Sequence, residues 1–235
     1  MNKGLIDASG AWYRVQAKRG NVAEVFIYDQ IGKNWFGEGI GAEDFVRDLK
    51  ALKLDVGDTL VARINSPGGN VFDGIAIHNY LRTLKAKVHV VVDGVAASIA
   101  SVIAMAGDRI EMPKNAMMMI HNPMMLAIGN ADAMRKAAED LDQIREAMSA
   151  SYLRRVKPTK DELYALLDAE TWLTADEAVA KGFADEVAEP VRAAALAQFD
   201  FAKYGFRVPQ ALAAAKEARS KDIASRREQI RLLKT

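Results

Sequence analysis

The chain has 235 residues, of which 50% are hydrophobic and 27% charged, and it contains no cysteine. This composition is typical of a globular protein, and the lack of cysteine excludes disulfides and thiolate metal sites. The net charge of +1 gives no sign of a nucleic-acid-binding surface. No apolar run approaches the roughly 18–20 residues of a membrane span, and the first residues show no signal peptide, so a cytoplasmic location is expected.

Short strands and helices alternate along the first 120 residues. Runs rich in aromatic and β-branched residues predict strands at WYRVQA, AEVFIYD, TLVARINS and KVHVVVDG. Apolar residues at helical spacing predict helices over residues 41–52 and 71–84. This alternation is typical of βαβ units around a mainly parallel sheet, so we predict an α/β fold.

The second half of the chain begins with two more predicted strands, RIEM and AMMMIH. From about 130 to 156 an apolar stripe predicts one long helix, with Met134, Ala138, Leu141, Ile144, Met148 and Tyr152 on one face. Two capping boxes predict the starts of short helices, formed by the pairs Thr159/Glu162 and Thr174/Glu177.

The last forty residues differ in composition from the rest. They are rich in alanine, and from Lys203 onward they carry nine basic residues against three acidic ones. We therefore divide the chain into an N-terminal strand segment (1–19), a main domain (20–190) and a basic, alanine-rich helical tail (191–235). The tail is expected either to dock on an acidic partner as a tether or to be a solvated helix without a role.

The segment GVAASIASVIAMAG places Ser98 among glycine and alanine, where a buried strand gives way to a helix. A serine at such a position is most often a helix N-cap. Small neighbours also suit a tight strand-to-helix turn that exposes a nucleophile, and the free N–H groups of the first turn suit a developing oxyanion. Both interpretations remain open on these residues alone.

The chain has three histidines. His78 falls in a predicted helix and His89 in a predicted strand, where structural roles are more common. His121 ends an apolar strand just before Pro123, and strand ends are where open α/β sheets display functional groups. INSPGG, residues 64–69, is either a simple turn or a glycine loop that gives a substrate access to the main chain.

Four motifs, INSPGG, GVAAS, MIHNP and TWLTADEAVAKGFADEV, resemble in order and approximate spacing those of the ClpP-type serine peptidases. The resemblance covers roughly residues 20–190. It implies a ClpP/crotonase-like α/β fold with a mainly parallel sheet and a long handle-type helix. It also implies an ATP-independent serine endopeptidase that works through an acyl-enzyme and needs neither cofactor nor metal.

The resemblance assigns roles to individual residues. Ser98 would be the nucleophile and His121 the general base. The N–H groups of Gly69 and Ile99 would form the oxyanion hole, and Gly68 and Gly69 would bind the substrate main chain.

The third catalytic residue departs from the family pattern. Leu166 stands where the pattern has an aspartate, six residues before Trp172. We expect Asp168, two positions on, to orient His121, with Glu170 as the alternative. Both are also ordinary acidic residues near a predicted helix end.

Three further segments, WYRVQAKRGNVAEVFIYDQIG, GEGIGAEDFVRDLKAL and ETW, resemble the ClpP-like head-maturation (prohead) proteases of tailed bacteriophages. Members of that group are packaged in the procapsid and trim scaffold and capsid proteins. The resemblance implies scaffold and capsid precursors as substrates, and a location within the procapsid in the bacterial host cytoplasm. It also implies a homo-oligomer, with heptameric rings the leading stoichiometry, and neither nucleic acid nor membrane as a partner.

Three alternative functions make different demands on the sequence. A housekeeping ClpP-type protease working with an ATPase unfoldase would have an N-terminal axial-pore segment that we do not recognise here. A crotonase-like acyl-CoA enzyme would not need Ser98 and His121 together. A catalytically silent assembly protein would be favoured by a damaged nucleophile or base, and both are intact.

Overall fold

The computed structural model describes residues 11–33, 39–189 and 206. These residues form eight strands and six helices. The strands are β1 (Tyr13–Arg19), β2 (Val22–Tyr28), β3 (Thr59–Ser66), β4 (Lys87–Ala97), β5 (Arg109–Pro113), β6 (Met117–Ile120), β7 (Thr171–Thr174) and β8 (Glu186–Ala188). The helices are α1 (Ala42–Ala51), α2 (Val71–Thr83), α3 (Ile99–Ala104), α4 (Ala131–Leu153), α5 (Lys160–Asp168) and α6 (Ala175–Lys181). Apart from Phe206, the predicted tail (191–235) lies outside the described residues.

The strands form one mixed, mainly parallel sheet in the order β1-β2-β3-β4-β5-β8. β1 is antiparallel to β2, and each following pair in this order is parallel. β6 lies off this path, because it pairs in parallel with the end of β4 and antiparallel with β7. The predicted α/β fold is confirmed.

β4 is the strand that positions the candidate site. It is buried almost throughout, as expected for a parallel strand covered on both faces. Its residues His89–Val91 pair with β5, whereas Val95–Ala97 pair with β6. Ser98 follows directly, and its N–H donates to the carbonyl of Met119 on β6 at 2.9 Å. The ends of β4 and β6 therefore lie side by side.

Two hydrophobic clusters cover the sheet. The main core contains Ala96 of β4 together with side chains from all six helices. A second cluster consists of Val95, Ala97, Met119 and Phe206, with Trp172 packed against them; we call it the Phe206 cluster. Because successive strand residues face opposite ways, Val95 and Ala97 point to the other face of the sheet from Ala96. Burial from both faces explains why this strand end is built from small residues.

The long helix α4 is buried at only one end. Met148 and Tyr152 are buried, whereas Met134, in the same predicted stripe, is 39% exposed. The loop before α4 also exposes large apolar side chains, namely Met124, Met125, Leu126 and Ile128. In the described part of the chain, every helix is too short or too polar to cross a lipid bilayer.

Local capping signals agree with the predicted helix starts. Thr159 and Thr174 each accept a hydrogen bond from the main chain three residues on, and the glutamates at those positions accept from the cap residues in return. Both capping boxes are confirmed.

Candidate active site

Ser98 has an unusual backbone conformation, with φ 54° and ψ −130°. Positive φ is rare for a residue with a side chain and costs on the order of 1–3 kcal/mol. The conformation makes the sharp turn from β4 into α3. The Ser98 side chain makes no capping hydrogen bond to α3, so the simple N-cap interpretation does not describe it.

The hydroxyl of Ser98 is paired with His121. The distance from Ser98 Oγ to His121 Nε2 is 2.7 Å. Ala97 and Met119 are register partners on β4 and β6, so the residues that follow these strands meet at the same edge. A serine and a base within hydrogen-bond reach form an activated nucleophile.

The environment of His121 favours its neutral form. Burial of the ring lowers its pKa from 6.5 to about 4. At neutral pH the imidazole is therefore uncharged and able to accept the proton of Ser98. The imidazole also contacts the ring of Phe206, with 4.9 Å between the ring centroids and an interplanar angle of 65°.

Gly68 lies directly against Ser98. A Cβ at Gly68 would stand 2.6 Å from Ser98 Cβ and 3.1 Å from Ser98 Oγ, and its φ is +100°. At Gly69 a Cβ would stand 2.1 Å from the carbonyl oxygen of Ile31, and φ is +152°. Both positions thus require glycine, for space as well as for backbone conformation.

The predicted oxyanion donors directly follow the two residues in contact: Gly69 follows Gly68, and Ile99 follows Ser98. Ile31 holds the glycine loop, because its N–H donates to Gly68 and its carbonyl accepts from Asn70, both at 2.8 Å. These bonds do not use the N–H of Gly69. Ile99 is the first residue of α3, where an N–H has no partner within the helix.

The two predicted acids differ in their contacts. Asp168 accepts a hydrogen bond from Asn122 Nδ2 at 2.7 Å and lies 3.2 Å from Arg145, with 59% of its side chain exposed. The described residues include no hydrogen bond between Asp168 and His121. Glu170 is half-buried, with φ 48°, just before β7. Glu170 directly precedes Thr171, which pairs with Ile120, and Ile120 directly precedes His121, so Glu170 lies next to the last paired position of β6 and β7.

A buried pair of hydroxyls supports the turn and was not foreseen from the sequence. Ser101 Oγ donates to the carbonyl of Ser98 at 2.5 Å and lies 2.7 Å from the hydroxyl of Tyr152 on α4. Both side chains are fully buried. The three-residue spacing from Ser98 to Ser101 is a local signal from which the first hydrogen bond could have been predicted. The contact with Tyr152 joins residues 51 positions apart, and no local pattern predicts it.

A groove of about 460 Å³ lies between α2 and α4. Its walls include Phe72 and Ile75 of α2, Ile144 of α4, and Met125 from the loop after His121. Ile99 packs against α2 at Gly74, which sets the start of α3 beside this helix. The groove is therefore mostly apolar and is bordered by the loop that follows the candidate base. Among the described residues, no three histidine or acidic side chains converge as a metal site.

Known proteins are similar to this chain in sequence and fold. Residues 8–191 match the family described as Clp protease. The ATP-dependent Clp protease proteolytic subunit of Bacteroides fragilis is 32% identical over 137 residues, or 57% of this chain. The aligned region spans 66% of that subunit, just under two thirds of its length.

Two further matches extend the coverage. The ATP-dependent Clp protease proteolytic subunit 1 of Protochlamydia amoebophila is 29% identical over 169 residues, which are 69% of this chain and 79% of that subunit. A solved structure of a ClpP1 mutant from Listeria monocytogenes has a TM-score of 0.61 at 26% identity. The structural match covers 71% of this chain and 91% of the Listeria chain. The ClpP-like fold predicted from the motifs is confirmed.

Proposed function

The chain belongs to the Clp protease family, and we propose that it is a serine endopeptidase with Ser98 as nucleophile and His121 as general base. ClpP-family proteases are serine endopeptidases, and the observation that carries the proposal here is the 2.7 Å distance between Ser98 Oγ and His121 Nε2. The strained turn at Ser98 and the neutral imidazole support the same assignment.

The reaction follows from these positions. Ser98 Oγ attacks the peptide carbonyl while His121 Nε2 takes the hydroxyl proton. The N–H groups of Gly69 and Ile99 stabilise the oxyanion of the tetrahedral intermediate. His121 then gives its proton to the leaving amine, and water hydrolyses the acyl-enzyme by the same steps in reverse order.

An acidic side chain before β7 completes the site in this proposal. The β6–β7 register favours Glu170 for accepting the second N–H of His121, while Asp168 holds Asn122 and Arg145. The sequence-based choice of Asp168 remains a prediction, and the variants Glu170→Gln and Asp168→Asn test the two residues against each other.

We propose further that the substrates are scaffold and capsid precursor proteins of a tailed bacteriophage, cleaved inside the procapsid in the host cytoplasm. The support is the resemblance of the segments around residues 12–32 and 37–52, and of Glu170–Trp172, to prohead proteases. The names of the relatives favour a second candidate, the proteolytic subunit of an ATP-dependent protease.

A fluorophosphonate label tests the peptidase assignment. We expect labelling on Ser98 alone, as mapped by peptide mass spectrometry, and loss of labelling in His121→Ala. His89→Ala is the matched control, because His89 lies on β4 beside Glu111, away from Ser98, and labelling should persist. Modification of another serine, or full labelling without His121, would overturn the mechanism.

Co-expression separates the two substrate proposals. Wild-type protein and Ser98→Ala are each expressed with phage scaffold and capsid precursors, without added unfoldase. The phage proposal expects precursor trimming with the wild-type protein alone. Trimming that requires an ATPase and ATP would favour the second candidate.

A further inference from the structure

Phe206 reaches the candidate active site from beyond the main domain. The domain's last described residue before it is Glu189. The Phe206 side chain is only 7% exposed, and its ring contacts the imidazole of His121 edge to face at 4.9 Å. It is therefore held against the candidate base by packing.

The place that Phe206 occupies is built by three strands. Val95 and Ala97 of β4 and Met119 of β6 are all fully buried beneath it. Met119 pairs with Ala97 on one side and with Trp172 of β7 on the other. The Phe206 cluster thus lies on the sheet face opposite the main core, directly beneath the strand ends that carry Ser98 and His121.

The charged groups near His121 belong to other elements than the Phe206 cluster. Asp168 ends α5 and Glu170 lies in the turn before β7, and Arg145 of α4 pairs with Asp168. Burial is the cause that lowers the pKa of His121. An aromatic ring against the imidazole contributes to that burial and also restricts rotation of the imidazole.

We propose that Phe206 is a positioning residue for His121, supplied by the C-terminal segment, which keeps the imidazole dry and aimed at Ser98. The proposal rests on the proposed function of Ser98 and His121. It gives the C-terminal segment a role in the site whether or not that segment is also a tether: the main domain carries the reacting groups, and Phe206 completes their environment.

The test compares Phe206→Ala with Phe206→Leu in the full chain. Removing the ring exposes the imidazole, so the alanine variant should raise the pKa of His121 from about 4 to between about 5 and 6.5. Near pH 5 the rate of fluorophosphonate labelling should then fall about twofold to thirtyfold from this protonation alone, with a smaller effect near pH 8. Leucine keeps an apolar cover, so its pH profile should stay close to that of the wild type.

Protein with isotope-labelled histidine gives a readout that does not depend on activity. NMR titration follows His121 directly, with His78 on α2 as an internal reference whose signal should titrate alike in all variants. If Ser98 of the wild type fails to react, the proposed function fails, while the titration still tests the contact with Phe206.

Two outcomes would overturn the proposal. One is a folded Phe206→Ala protein, shown by circular dichroism, with the titration and pH profile of the wild type. The other is an equal loss of labelling in both variants at every pH with an unchanged His121 titration, which would mark Phe206 as a structural residue only.

Discussion

At the scale of single residues, the contact between Gly68 and Ser98 gives the sharpest test of the site. A methyl group at Gly68 would collide with the Ser98 side chain. Gly68→Ala should therefore lower the labelling rate by on the order of 100-fold or more, because both Ser98 and the glycine loop of residues 68–69 must move.

Gly57→Ala is the matched control for this change. Gly57 has φ +90°, close to the +100° of Gly68, but a Cβ there meets nothing within 4 Å. Both variants carry backbone strain of about 1–2 kcal/mol, visible in thermal unfolding. Only Gly68→Ala should lose labelling, and equal labelling in the two variants would refute the contact.

The two acidic residues before β7 give a second residue-scale prediction. If Glu170 orients His121, Glu170→Gln should fold normally and lose activity by about 10⁴-fold, as when the acid of a serine triad is replaced by its amide. Asp168→Asn should cost far less, because its described partners are Asn122 and Arg145. Single-turnover acylation kinetics measure both, and the reverse ranking would restore Asp168 to the role predicted from the sequence.

At the scale of elements, α4 supports the turn at Ser98 through one hydroxyl. Tyr152→Phe leaves the ring in place and removes the partner of Ser101, which should destabilise the fold by about 1 kcal/mol and slow labelling. Tyr164→Phe is the control, since the hydroxyl of Tyr164 bonds to Glu146 on an exposed surface. Urea unfolding and labelling rates should distinguish the two variants. Equal changes in stability and labelling rate in both would show that Tyr152 does not support the site.

Elements defined by local patterns were predicted well from the sequence. β3 spans the predicted residues 59–66, and both capping boxes are present, because periodicity and capping act within a few residues. The motifs likewise led to Ser98, His121 and the two glycines, which the structure brings together. Which acid lies opposite His121 depends on the register between β6 and β7, about 50 residues apart, and no local pattern records it.

Two contacts that the sequence did not predict, those of Tyr152 and Phe206, join residues far apart in the chain. The sequence indicates Tyr152 only as part of an apolar stripe, and it places Phe206 in a tail that is separate from the predicted main domain. Their partners, Ser101 and His121, are set by tertiary packing rather than by spacing along the chain.

At the scale of the whole molecule, the exposed apolar residues before α4 support the predicted homo-oligomer. Ile128 is 90% exposed and Leu126 62%, next to the unburied end of α4. Such a surface is typical of a protein interface. We expect light scattering to find a ring-sized assembly, with seven subunits per ring as implied by the resemblance.

A charge placed in this surface should weaken the assembly. Ile128→Asp should shift the protein toward smaller species, because an interface core does not tolerate an unpaired carboxylate. Val56→Asp is the control, since Val56 is also 80% exposed but lies between α1 and β3, and its assembly should match the wild type. An active wild-type monomer at micromolar concentration would contradict the oligomer.

The pairing of β6 with β4 and β7 has a consequence for biosynthesis. A growing chain carries Ser98 and His121 well before it carries β7, and Phe206 follows later still. Because a domain folds as a unit, β6 gains its antiparallel partner only after residues 171–174 have left the ribosome. We therefore expect nascent chains that lack β7 to react poorly with a serine-directed label, so that any activity of Ser98 would begin only when nearly the whole polypeptide has been synthesised.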